Sequence, residues 1–238
     1  MKLLNLQYKY LLTKTNKLII ALLLILGVLL EIIMVNPLEL DQIAWMLRID
    51  RFDNYEIYSL FYIKMVSIIF SCYLFGNYFF KNNDNYKEIL NTRIGLLRYY
   101  LSKIFILSLL IGLFIFINLL IHINIGVLLS NWYYLNYEMI LRYLEIYWLA
   151  IVYGSISVLI ICLTNSVYSI LIPITLYIIS EIIIDVKIAD IMFNIIQLII
   201  PTQMISDSNQ TLFFGLSHLI VLVVLYNICG YCFFCKKE

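Results

Sequence analysis

Charge is what this chain has least of. Only 13% of its 238 residues are Asp, Glu, Lys or Arg, while 63% are hydrophobic. A soluble domain carries about 25% charged residues, so this sequence cannot build an ordinary water-facing surface, and lipid must solvate most of it. The signatures of several chemistries are missing as well. There is no GxxxxGK(S/T) phosphate loop and no room beside the apolar segments for an ATPase domain. There is no HExxH, no GxSxG and no pair of intramembrane aspartates, and the two histidines stand on different apolar segments without a helper motif. An intramembrane hydrolase would need a positioned nucleophile and base, or a metal with several ligands. No internal repeat or low-complexity linker interrupts the chain, so 1–238 reads as a single transmembrane domain.

What is present is apolar sequence in long runs. A helix crossing a hydrocarbon core about 30 Å thick needs about 20 mainly apolar residues. Six segments meet or approach that length, at 18–35, 57–80, 104–129, 146–163, 167–184 and 212–234. The expected fold is all-α, a polytopic integral membrane protein with six transmembrane helices. Residues 1–17 place Leu4, Tyr8, Leu11 and Leu12 at helical spacing between lysines, which reads as a helix in the inner interface or as a basic tail. No small-residue cleavage pattern follows Val35, so the first span is expected to be retained rather than removed as a signal peptide.

Basic residues resist translocation and orient the spans. With both termini inside, Lys2, Lys9, Lys14, Lys17, Lys81, Lys87, Arg93, Arg98, Lys103, Lys236 and Lys237 are cytoplasmic, and only Arg48, Arg51, Arg142 and Lys187 lie in outer segments. The expected location is the plasma membrane, multi-pass, with N- and C-termini cytoplasmic. On this topology all five cysteines face the reducing side, and no disulfide is expected. Cys229, Cys232 and Cys235 share a helical face without a further ligand nearby, so no metal site is assigned to them.

Intramembrane charge costs about 2.5 to 3.5 kcal/mol per group on insertion scales, so its placement carries information. Glu31, Lys64, His122, Glu181 and His218 all fall towards the outer ends of their spans, leaving the cytoplasmic halves uncharged. Glu31 and Lys64 lie at similar depth and are expected to pair if the first two spans adjoin; alternatively, Lys64 snorkels to the outer headgroups. The histidines read as hydrogen-bonded packing residues. Glu138, Arg142 and Glu145 have i, i+4 and i, i+3 spacing, which extends the fourth span outward as helix, and Trp132, Tyr133, Tyr134 and Tyr137 suit an interfacial belt. The apolar run 188–200, ended by Pro201, is too short to cross and reads as a short extracellular re-entrant or interfacial helix.

The one sizeable cytoplasmic loop is KNNDNYKEILNTRIGLLRYYLSK, 81–103. Asp84 and Asn85 are helix starters, Tyr86, Ile89 and Leu90 form a small apolar ridge rimmed by Lys87, Glu88 and Arg93, and Gly95 permits a break before a second helical stretch. The segment reads as a knob for a partner's groove, or as a solvated loop whose basic residues set topology. With its basic start, six spans, this loop and the outer insert IADIMFNIIQLIIP, the chain resembles, over nearly its whole length, the six-helix permease subunits of bacterial type 2 ABC exporters. Glu88, Leu90, Arg93 and Lys103 match the family's loop pattern, while Asn91 and Thr92 stand where a proline is often found.

The resemblance implies a coupling helix including Tyr86, Lys87, Glu88, Ile89, Leu90, Asn91 and Arg93. It implies as partners cytosolic ABC ATPase subunits, a second permease subunit in a homodimer or heterodimer, and the lipid bilayer. ATP and Mg would be bound by the ATPase and no cofactor by this chain. The cargo would be a hydrophobic or amphipathic peptide, bacteriocin or drug, as in export or antimicrobial-peptide immunity. No catalytic residue, metal site or nucleic-acid partner is expected. The rival classes are an ATP-independent transporter or scaffold and an intramembrane enzyme. Proton-coupled carriers usually place charges near the midplane and show repeats, neither of which is evident here.

Overall fold

Backbone N–H and C=O groups surrounded by apolar side chains find no water, so long apolar runs satisfy them internally as helix. The computed structural model of the protein describes residues 7–8, 11–35, 51–80, 95–129, 137–164, 166–186 and 209–235. Among the described residues the architecture is entirely helical. The α-helices are α1 (Lys14–Val35), α2 (Arg51–Phe79), α3 (Leu96–Leu129), α4 (Tyr137–Thr164), α5 (Leu171–Val186) and α6 (Asn209–Cys235). A 3-10 turn, Val167–Ile170, precedes α5.

Among the described residues five helices, α1 to α4 and α6, are long and apolar enough to cross a membrane. Leu22, Ile25 and Leu29 on α1, Leu109 and Leu113 on α3, and Val224 and Ile228 on α6 are each about half exposed, an apolar surface suited to lipid. The multi-pass membrane character expected from composition agrees with these helices. α5 has 16 residues, shorter than a full span unless its 3-10 entry is included. Pro173 sits in the first turn of α5, where a missing N–H breaks no helical bond.

Local chemistry explains the helix limits. Thr13 caps α1, its Oγ1 accepting from the Asn16 N–H at 3.2 Å. Asn16 also donates through Nδ2 to the Leu11 carbonyl at 2.6 Å, fixing the chain entry. α3 opens directly after Gly95, whose φ of +85° lies in the region that side chains disfavour. It therefore starts at Leu96 rather than near residue 104, and Lys103 lies inside it, only 2% exposed. Aromatic rings and a carbonyl enclose its ammonium. α4 begins at Tyr137, so Glu138, Arg142 and Glu145 are helical as their spacing predicted.

Polar side chains within these apolar helices return to their own backbone. Asn118 donates to Phe114 O, Ser155 to Ile151 O, Ser180 to Tyr177 O and Asn227 to Val223 O, at 2.6 to 2.9 Å. Each uses a carbonyl one turn earlier as the partner that lipid cannot supply.

The chain divides into two compact units, Met1–Ser67 with Gly112–Ile146, and Ile68–Ile111 with Tyr147–Glu238. In the second, α2 and α4 approach closely at Gly154, where an added Cβ would lie 2.5 Å from Ser71 Oγ and 2.8 Å from the Phe75 ring. Ser71 donates across this contact to the Ala150 carbonyl at 2.6 Å. Tyr153 of α4 meets Tyr177 of α5 edge to face, with centroids 5.5 Å apart.

Candidate functional site

In the first unit, three helices bring one polar residue each to a buried point. Glu31 of α1, Ser59 of α2 and His122 of α3 are 3%, 1% and 0% exposed. Ser59 Oγ donates a short hydrogen bond to Glu31 Oε1. His122 Nδ1 lies 2.8 Å from Ser59 Oγ and 3.2 Å from Glu31 Oε1. His122 Nδ1 thus lies within hydrogen-bond distance of both Ser59 Oγ and Glu31 Oε1, its role towards each set by the tautomer. The His122 ring also stacks obliquely near Tyr143, at 6.3 Å between centroids.

The composition of this group is that of a serine, histidine and acid triad, but its geometry is different. A relay sets nucleophile and acid on opposite ring nitrogens. Here both meet Nδ1, an arrangement that fastens three helices together.

Of the sequence-predicted intramembrane residues, Glu31 and His122 are thus brought together. Lys64 belongs to the same unit and is 4% exposed, its Nζ 5.8 Å from the Phe61 ring centroid. His218, on α6, belongs to the second unit, as does Glu181, whose side chain lies outside the described residues. Tyr86, Lys87, Glu88, Ile89, Leu90, Asn91 and Arg93 also lie outside them, as does the outer insert 188–200. Sequence reasoning missed Ser59, since a lone serine in an apolar run carries no signal beyond its depth. No group of three or more His, Cys, Asp or Glu suited to a metal occurs among the described residues.

The second unit holds another polar set, where the stems of the α2–α3 connection meet α6. Lys103 donates to Tyr78 O at 3.4 Å, and Tyr100 reaches Asn227 on α6. In comparisons with known proteins, this chain matches no family model, no curated protein and no solved structure.

Proposed function

We propose that this chain is the membrane-spanning permease subunit of an ATP-driven exporter, moving a hydrophobic or amphipathic cargo outward while separate cytosolic ATPase subunits supply the energy. In this reading the 3-10 turn and α5 together form the fifth of six spans, both termini are cytoplasmic, and the bundle sits in the plasma membrane with a second permease subunit. The observation that carries the proposal is the segment NYKEILNTRIGLLRYYLSK, whose Glu88, Leu90, Arg93 and Lys103 follow the loop pattern of type 2 exporter permeases. It is supported by the long helices on either side, α2 ending at Phe79 and α3 starting at Leu96, which give a push on the connection two rigid levers.

The test is gentle isolation of the protein from native membranes. An ATPase carrying a phosphate loop is expected to co-purify, and to be lost when Tyr86, Glu88 and Leu90 are all replaced by Ala. Isolation of the unaltered chain without any ATPase refutes the proposal.

A second reading, an ATP-independent proton-coupled transporter, draws on one observation, the buried carboxylate and imidazole of Glu31 and His122. It gains if no ATPase accompanies the chain and if solute movement follows an imposed pH gradient.

A further inference from the structure

The two stems of the α2–α3 connection are joined by a buried cation. Lys103 Nζ donates to the Tyr78 carbonyl, one of the last four of α2. The same ammonium lies 5.0 Å from the Tyr78 centroid, 5.0 Å from Phe79 and 4.8 Å from Tyr99. A desolvated cation among aromatic faces is held strongly, and this one also meets the negative end of the α2 dipole. The last turn of α2 and the first turns of α3 are therefore tied into one piece.

From that piece Tyr100 reaches α6. Its ring, 1% exposed, packs 5.4 Å from Phe79, 5.4 Å from Tyr231 and 5.5 Å from Phe234. Its hydroxyl, 3.2 Å from Asn227 O and 3.3 Å from Asn227 Oδ1, donates a shared hydrogen bond to both. Gly230 makes the approach possible, because an added Cβ would stand 2.8 Å from Tyr100 Oη. Asn227 Nδ2 donates onward to Ser155 Oγ on α4 at 2.9 Å, and Ser155 donates to Ile151 O at 2.8 Å. The donors run in one direction, from α3 to α6 to α4, which strengthens each bond in an apolar surround and makes every break expensive.

We propose that this set is a transmission element. Displacement of the stem piece, held by Lys103, passes through Tyr100 and Asn227 to α6, and through Ser155 to α4. The proposal rests on the reading above, that force enters at the α2–α3 connection. Stiff side chains joined by directional bonds carry such a displacement, whereas apolar contacts alone let helices slide.

The experiment uses the complex purified with its ATPase and reconstituted in lipid nanodiscs. Thiol reactivity towards a membrane-permeant maleimide is read by mass spectrometry before and after trapping with ATP, Mg and vanadate. The exposed Cys229 and Cys232 report on α6, and an introduced Leu97→Cys, at a half-exposed position, reports on the stem. In the parent complex, trapping is expected to change reactivity severalfold at both places. In Tyr100→Phe the stem thiol still responds while the α6 thiols lose their response; in Ser155→Ala, which breaks the line only beyond α6, the stem and α6 thiols both respond while an introduced Leu163→Cys, at a half-exposed position on α4, loses the response it shows in the parent, with ATPase capture unchanged in both. Thr175→Val, which removes a hydroxyl bonded only to Ile172 O within α5, retains both responses. An α6 response as large in Tyr100→Phe as in the parent overturns the transmission, as does an α4 response as large in Ser155→Ala as in the parent, or a parent complex whose α6 thiols never respond. A parent chain that captures no ATPase overturns the underlying reading and the transmission with it.

Discussion

A carboxylate within an apolar helix is stable only where polar partners converge on it, and those of Glu31 include the Ser59 hydroxyl and the His122 ring. Removing one member of a buried pair strands the other, at a cost of about 3 to 5 kcal/mol. Glu31→Ala and His122→Ala are each expected to lower stability in detergent by roughly that amount. The double variant should lose less than the two singles together, with a coupling of about 1 to 3 kcal/mol. Additive losses in a thermal or denaturant series would show that the pair does not act as a unit. Depth along the spans put Glu31 and His122 on the expected outer side in the sequence reading, but the meeting of the two with Ser59 depends on which way three separate helices are rotated.

At the scale of elements, existence and approximate position followed from apolar run length, while the ends followed from single residues. Thr13 starts α1 through its side-chain oxygen, and Gly95 lets α3 begin eight residues before its purely apolar stretch. The distribution of basic residues gave Lys103 a side of the membrane but not its surroundings, the rings of Tyr78, Phe79 and Tyr99. Helix contacts were not legible at all, because small residues such as Gly154 matter only when a partner is opposite. Gly154→Leu should drive α4 from α2 and disrupt the bond from Ser71 to Ala150 O, destabilising the protein by about 1 to 3 kcal/mol. A melting temperature in detergent equal to that of the parent would contradict this packing.

For the whole molecule, the distribution of Lys and Arg predicts both termini inside. Cys235, close to the C-terminus, offers a native reporter in a background where the other four cysteines are Ser. It should react with a membrane-impermeant maleimide only after cells are permeabilised, and a cysteine introduced at Asp190 should react in intact cells. The reverse pattern would invert the topology and remove the α2–α3 connection from reach of any cytosolic ATPase.

The sequence by itself determined that the chain is helical, where its helices run, and that lipid suits their surface, since backbone groups without water must bond within the segment and apolar runs admit no other solution. It did not determine which face of each helix turns inward. Most positions around these helices are apolar, so little amphipathic stripe exists to set their rotation, and only packing against distant segments chooses it. Tertiary structure alone therefore placed Ser59 and His122 against Glu31, caged Lys103 in aromatic rings, and aligned Tyr100, Asn227 and Ser155 in one line of hydrogen bonds.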